Sequence, residues 1–426
     1  MDIEAIYKLY LQFPSVQTDT RLLKKGDIFF ALKGENFNGN AFAQKAIESG
    51  ASFAIIDEQN FSVPQKTILV PDVLKTLQQL AKHHREQFSI PFLAITGSNG
   101  KTTTKELIHS VLSSTYTTYT TRGNLNNHIG IPLTLLRIRN DAELAVIEMG
   151  ANHLREIAGY CEYAQPTHGI ITNCGKAHLE GFGGVEGVRK GKGELFDYIR
   201  SKKGTVFVMK DYEYLAEMSK GITSVYSYGT SDADVTGNVV KNNPFLEISV
   251  NKSGETFVIK SQLVGEYNLP NILAAVAVGN YFKIPSAKIK SAIENYSPSN
   301  SRSQLLERGT NKIILDAYNA NPSSMKLAIQ NFANLKADNK ILILGAMAEL
   351  GDASIAEHKA IVDFIDQFHW KDVILVGGDF MNINHPYKKI ESAEDAGRWI
   401  KEKNLENTYM LIKGSRSMKL EKVLDN

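Results

Sequence analysis

Two hydrophobic patterns alternate along this chain. Short continuous apolar runs stand at residues 92–96 (Phe-Leu-Ala-Ile-Thr), 144–148 (Leu-Ala-Val-Ile-Glu), 169–172 (Gly-Ile-Ile-Thr) and 205–209 (Thr-Val-Phe-Val-Met), with helix-spaced patterns between them. Continuous rather than alternating apolarity suits strands covered on both faces, so these runs predict a mostly parallel sheet. Ahead of them, 27–32 and 53–56 read as strands and 42–49 and 73–87 as helices, a small α/β unit that ends where Ser89-Ile90-Pro91 breaks the pattern. From 224 to 263 the runs become polar-flanked, with a turn signal at Asn251-Lys252-Ser253-Gly254, which predicts a small antiparallel addition before helix returns at 268–281. A polar stretch, Ser297-Pro298-Ser299-Asn300-Ser301, marks a second boundary. Beyond it, strands at 312–315, 341–344, 373–376 and 409–412 alternate with helices in a Rossmann-like order. The fold expected is α/β in three domains, at residues 1–88, 89–297 and 298–426. There is no internal repeat and no low-complexity tract.

Composition narrows the class without naming a function. The 426 residues are 43% hydrophobic and 22% charged, an ordinary globular balance with enough apolar material for several cores. A net charge of +2 gives no field for nucleic acid or an anionic membrane, so an anionic substrate must be held by local groups. Two cysteines, Cys161 and Cys174, make no disulfide framework and fit a reducing compartment. Neither has a His or Asp partner nearby in sequence, so both read as small buried residues. No apolar run reaches the length of a membrane span and no secretory pattern opens the chain, so the expected location is the cytoplasm. His83 and His84 fall in a charged helical stretch and read as solvated.

The chemistry begins at Thr96-Gly97-Ser98-Asn99-Gly100-Lys101-Thr102-Thr103, which follows a strand and opens a helix. Glycines let backbone N–H groups turn toward phosphate oxygens, and the helix N-terminus adds its dipole. Lys101 is placed to neutralise the β- and γ-phosphates, and Thr102 to hold Mg²⁺. The general phosphate-loop pattern has a further glycine where this chain has Ile95. On the loop alone, kinases, ATPases and ligases all stay open, and so does a glycine-rich turn with a solvated lysine.

The loop without its first glycine resembles the Mur ligase family, which includes the folylpolyglutamate synthases. Five further segments resemble the branch that joins D-alanyl-D-alanine to UDP-N-acetylmuramoyl-tripeptide. They are Thr121-Arg-Gly-Asn-Leu-Asn-Asn-His-Ile-Gly-Ile-Pro132, Glu148-Met-Gly-Ala-Asn-His153, Ala177-His-Leu-Glu-Gly-Phe-Gly183, Tyr318-Asn-Ala-Asn-Pro322 and Lys413-Gly-Ser-Arg-Ser-Met418. They run in the family's order along nearly the whole chain.

The resemblance implies a domain for the UDP end, a central ATPase domain and a C-terminal domain that closes over the site. It implies ATP, two Mg²⁺ ions, the two small-molecule substrates, and a monomer in the cytoplasm. The implied reaction phosphorylates the peptide carboxylate, and the amine of D-alanyl-D-alanine then displaces phosphate.

Residue by residue, the resemblance gives the ATP phosphates to Gly97, Ser98, Asn99, Gly100, Lys101, Thr102 and Thr103, and the metals to Thr102, Glu148, His178 and Lys192. In the family the position of Lys192 is a carbamylated lysine; in the sequence it also reads as a plain surface lysine. Glu148 also reads as a helix cap and His178 as a loop histidine. Asn268 and Asn271, three apart at a helix start, resemble adenine contacts and also suit N-caps. Arg302 and Asp316 resemble phosphate and ribose contacts. Tyr318, Asn319 and Asn321 lie beside them, in a segment that also suits a turn. For the remaining substrates the resemblance offers Asn124, Asn126, Asn127, His128, Lys413, Ser415 and Arg416, and at the UDP end Thr20, Arg21, Lys33 and Asn36.

The chain departs from the family's pattern at Thr20, at Asn38-Gly39-Asn40, at Leu315 and at Ala346. Three rival readings remain at this point: a folylpolyglutamate-type ligase, a small-molecule kinase, and a nucleotide-dependent switch module.

Overall fold

The computed structural model describes residues 2–425 apart from Ser253 and Asn300, so the turn expected at 251–254 and the boundary stretch at 297–301 each include one residue outside the described set. Three separate main sheets organise the chain.

The first is a parallel sheet of four short strands in the order Val16–Gln17, Ile28–Phe30, Phe53–Ile56 and Thr67–Leu69. The helix Ile3–Gln12 was not among the expected elements; it starts where the Asp2 carboxylate accepts the Ala5 amide at 2.9 Å. The helix Val73–Arg85 is capped the same way by Asp72. His84, expected to be solvated, is buried at this junction instead. Its ring bonds the Ile138 carbonyl at 2.9 Å and the Tyr7 hydroxyl at 3.1 Å, because the polar face of the helix packs against the next domain rather than water. Arg85 reinforces the junction, donating to the Ala164 and Gln165 carbonyls while its guanidinium stacks on Phe92.

The second sheet has nine strands. Seven are parallel, running from Thr118–Thr120 through Leu144–Glu148, Phe92–Thr96, His168–Ile171, Thr205–Met209 and Ser224–Gly229 to Val235–Asn242. Phe245–Lys252 and Glu255–Val264 then add on antiparallel, so the antiparallel addition extends this sheet rather than forming its own. The helices Lys101–Ser113 and Leu269–Tyr281 cover one face, and Leu269 to Gly279 is buried almost without interruption.

The third sheet runs Gln304–Arg308, Asn311–Asp316, Tyr409–Lys413, Lys340–Gly345, Asp372–Val376, Lys388–Ile390. Only its first pair is antiparallel. Strands of the second and third sheets end at one cavity: loops after Thr96, Glu148 and Ile171 meet loops after Asp316 and Gly345 and the strand-end residue Lys413. The carboxyl ends of parallel strands are where ligand sites gather in such sheets.

Candidate active site

The phosphate loop is pinned from beside. Ser98 N–H donates to the Asn173 carbonyl at 2.9 Å, Ser98 Oγ to the Gly175 carbonyl at 2.9 Å, and Asn99 N–H to Asn173 Oδ1 at 3.0 Å. Two glycines are required by this geometry. A Cβ on Gly97 would stand 2.0 Å from Thr172 Oγ1, and one on Gly100 2.5 Å from Asn271 Oδ1, each at a positive φ. Lys101 folds back, its ammonium donating to the loop carbonyls of Gly97 at 2.7 Å and Ser98 at 3.2 Å. Burial lowers its pKa and Glu148 opposes that shift. This is no solvated lysine.

Glu148, 1% exposed, ends its strand facing the loop. Its Oε1 accepts from Thr102 Oγ1 at 3.1 Å and from Asn126 Nδ2 at 2.8 Å, while its Oε2 is buried with no hydrogen-bond partner. It caps no helix. A buried carboxylate oxygen left unmatched is costly unless a cation completes it. Thr102 and Glu148 are hard oxygen donors of the kind Mg²⁺ selects. Among the described residues no group of three or more His, Cys, Asp or Glu side chains gathers to hold a metal. That suits an ion bound by one or two protein oxygens together with substrate phosphates.

His178 lies in the left-handed region at φ 52° and its Nδ1 meets the Glu349 carboxylate, which comes from the third sheet's side of the cavity. Glu349, at φ 61°, is left-handed too, and contact with His178 lowers its pKa. Glu349 escaped the sequence reading, since only the fold brings the two positions together. Lys192 is fully buried and does not line the cavity. Its ammonium donates to the Ala151 carbonyl at 2.8 Å, with Nζ 4.8 Å from the Phe182 ring, and burial, then Lys101, pushes its pKa down to about 7.

The cavity, about 990 Å³, is lined by Ser98 to Thr103, Asn124, Asn126, Asn127, His128, Glu148 and His178 from one side, and by Arg302, Asp316, Tyr318, Asn319, Asn321 and Lys413 from the other. Asn268 and Asn271 also line it. Asn268 stands at the N-cap position of the helix Leu269–Tyr281 but makes no side-chain capping bond: it donates to the Val264 carbonyl at 2.9 Å, and Asn271, inside the helix, donates to Asn268 Oδ1 at 2.8 Å. Arg302 stacks 3.6 Å over Tyr318 and has no ion-pair partner among the described residues, so its charge faces the cavity uncompensated. Lys413 is already matched, its ammonium 2.6 Å from Asp316 Oδ2. Asn127 spends its side-chain oxygen on the amides of Ile129 and Gly130. Asn321 both caps the helix Pro322–Asn334 and reaches Asn99.

Several sequence candidates stand outside this cavity. Gly97, though part of the phosphate loop, does not line the cavity. Ser415 is buried with its hydroxyl on the Ala346 carbonyl at 2.6 Å, and Arg416 is exposed and paired with Glu421 at 2.9 Å. Thr20, Arg21, Lys33 and Asn36 lie on the first sheet's unit. There Arg21 forks onto Asp19, holding that carboxyl down to about 2, and Lys33 pairs with Asp57 at 3.0 Å. Asn40 is buried between Asn38 and Asp57. Both cysteines are buried; burial raises the thiol pKa, to about 12 for Cys174, so neither is a ready thiolate. Besides Glu349, Asn173 and Tyr212 are wall residues that no sequence signal marked.

Known proteins share this arrangement. Three family descriptions match in order: the Mur ligase family catalytic domain over residues 13–85, the Mur ligase middle domain over 95–279, and the Mur ligase glutamate ligase domain over 301–416. A UDP-N-acetylmuramoyl-tripeptide--D-alanyl-D-alanine ligase of Bacillus subtilis is 34% identical, covering 96% of this chain and 92% of its own. The enzyme of that name from Haemophilus influenzae is 33% identical over 97% and 93%. The crystal structure of MurF from Acinetobacter baumannii superposes with a TM-score of 0.87 at 29% identity, covering 96% of this chain and 92% of that one. On matches that together span nearly its full length, the chain belongs to the Mur ligase family.

Proposed function

We propose that this protein is the ATP-dependent ligase that joins D-alanyl-D-alanine to UDP-N-acetylmuramoyl-tripeptide in peptidoglycan precursor synthesis. The observation that carries the reading is a single cavity in which a phosphate loop and an unmatched buried carboxylate face a free arginine from another domain. The two relatives bearing that name at 33–34% identity support the choice of substrates.

In the reaction the peptide carboxylate oxygen attacks the γ-phosphorus of ATP. An O–P bond forms, the bridging bond to the β-phosphate breaks and ADP leaves. The amine nitrogen then attacks the acyl carbon, a C–N bond forms, the C–O bond to phosphate breaks, and the amine proton passes to solvent or a nearby base. A carboxylate alone would have to expel oxide, which is why activation comes first.

This chain's part is positioning and charge compensation. The amides of the phosphate loop hold the phosphates and Lys101 swings from its own carbonyls onto the β- and γ-phosphates. Arg302 approaches from the opposite wall, and Asn268 and Asn271 take the base. Thr102, Glu148 and His178 would hold Mg²⁺, which when bound neutralises phosphate charge. A carbamate on Lys192 would add an anionic ligand. The sheet at the N-terminal end, with Arg21 and Lys33, takes the UDP end.

The decisive experiment incubates the protein with ATP, Mg²⁺, D-alanyl-D-alanine and UDP-N-acetylmuramoyl-tripeptide carrying either diaminopimelate or lysine, and weighs the product. A folate substrate with glutamate serves as the control. Ligation of the peptide pair supports the proposal. Ligation of folate alone, or a stable phosphorylated product without an amine acceptor, refutes it.

A further inference from the structure

The loop after Lys340–Gly345 brings Glu349 to His178 across the cavity. Its backbone is tied at two successive residues. Ala346 N–H donates to the Val376 carbonyl at 3.0 Å, and the Ala346 carbonyl accepts from Ser415. The amide of Met347 donates to His358 Nε2 at 2.9 Å.

His358, on the helix Ser354–Ile365, has no exposed surface. Its Nδ1 lies 2.8 Å from the Ser354 carbonyl. A carbonyl only accepts, so the ring proton is on Nδ1 and the ring is neutral, leaving Nε2 as its one acceptor. That acceptor is aimed at the amide two residues before Glu349. The Phe380 ring meets the imidazole edge-on at 4.7 Å, and Ser354 Oγ is turned to Asp379 Oδ2 at 2.5 Å, so the ring's orientation is fixed. Glu349 and His178 both sit at positive φ, a conformation non-glycine residues adopt only when their surroundings hold them there.

We propose that His358 is a positioning residue for the ligation site: it grips the Met347 amide and so presents Glu349 to His178 when the C-terminal domain lies against the phosphate loop. The role rests on the ligase reading above, whereas the grip itself does not.

Two variants separate the grip from mere filling of the core. His358→Leu keeps the bulk and removes the acceptor; His358→Gln keeps an acceptor at similar reach. In the full chain, His358→Leu is expected to lower kcat by about fivefold or more, the loss of one buried hydrogen bond to a site element, with the KM for ATP changing less than twofold. His358→Gln returns kcat to within about threefold of wild type. Amide hydrogen exchange of residues 346–349 quickens in the leucine variant and not in the glutamine variant, a readout that needs no activity. With Glu349→Ala already in place, kcat is reduced and His358→Leu reduces it no further. Three results would each overturn the proposal: an equal kcat loss from His358→Leu with and without Glu349, wild-type kcat in Glu349→Ala, or unchanged exchange at 346–349. If the leucine variant does not fold, wild-type kcat in Glu349→Ala still decides. A wild-type protein that performs no ligation refutes the function proposed above, while the exchange comparison still tests the grip.

Discussion

Asn321 donates its side-chain amide to Asn99 Oδ1 at 2.7 Å, joining the cap of a C-terminal helix directly to the phosphate loop. The N-terminus of that helix is therefore tied to the conformation of the loop that would hold ATP. Nearby, Lys176 N–H donates to Ser323 Oγ at 3.0 Å, and Tyr267 and Ser303 share a hydroxyl contact at 2.8 Å.

Asn99→Ala removes the bridge without touching the helix cap. A single hydrogen bond of this kind is worth about 1 kcal/mol, so the KM for ATP should rise roughly fivefold. Asn321→Ala loses the same bond and also the cap, so it should in addition lower the stability of the C-terminal domain by about 1 kcal/mol. Kinetics and urea unfolding on both variants and on the double variant test this. Additive effects on KM would show that the two side chains act independently.

Lys101→Ala should leave the fold intact, because the ammonium bonds only two carbonyls of its own loop. Ligation should fall by about a hundredfold or more, the usual scale for removing a charge aimed at a developing phosphoryl transition state. Circular dichroism with a product assay checks both halves. Near-normal turnover would remove the phosphate-loop assignment.

Much of this site was legible because its parts are local. The run 92–103 encodes a strand, two conformationally demanding glycines and a helix start within twelve letters, and 144–148 places Glu148 at a strand end by the same logic. What was hidden depends on distance along the chain. Glu349 and His178 lie far apart in sequence, and the segment around Glu349 carries no pattern that points across a domain boundary. His84 looked solvated because its neighbours are charged, yet that face of the helix meets another domain, and interface burial leaves no periodic trace. Ser415 and Lys413 have the residue types of an anion site, but their partners, Ala346 and Asp316, are set by sheet order. The helix Ile3–Gln12 was passed over although Asp2 supplies a cap signal.

His168 gives the fold a pH dependence of known sign. It sits among Phe207, Tyr281 and Phe282, and burial pushes its pKa down to about 4. An unfolded chain holds a histidine near 6.5, so below that pH the unfolded state binds the proton first. The stability tied to the neutral ring is complete above about 6.5 and declines as pH falls toward 4, by on the order of 3 kcal/mol in all. Burial also lowers His84, His109 and His358, which add to the slope. Urea unfolding of wild type and His168→Phe at pH 7, 5.5 and 4.5 isolates the share of His168. The variant should lose less stability on acidification, and parallel curves would disprove the assignment.

Lys192 presents the sharpest choice. Its burial behind the cavity wall and a pKa near 7 mean that a large fraction of the amine is neutral at neutral pH, the form that adds carbon dioxide. The nitrogen lone pair attacks the carbon of CO₂, a proton leaves the nitrogen, and the product is an anionic carbamate with two oxygens. Lys101 lies close enough to shift the pKa of Lys192, so reversing the charge at Lys192 turns a repulsion between two cations into an attraction. It would also supply hard anionic oxygens of the kind Mg²⁺ selects. Formation should rise with pH through about 7 and fall below it, because protonation removes the nucleophile. Protein equilibrated with carbon-13-labelled bicarbonate should show a carbamate resonance that Lys192→Ala lacks. The alanine variant should be nearly inactive and regain part of its activity with a short carboxylic acid. Lys192→Arg tests the opposite view, since arginine keeps the cation and cannot be carbamylated under these conditions. An active arginine variant, together with no carbamate resonance in the wild type, would establish Lys192 as a plain cation.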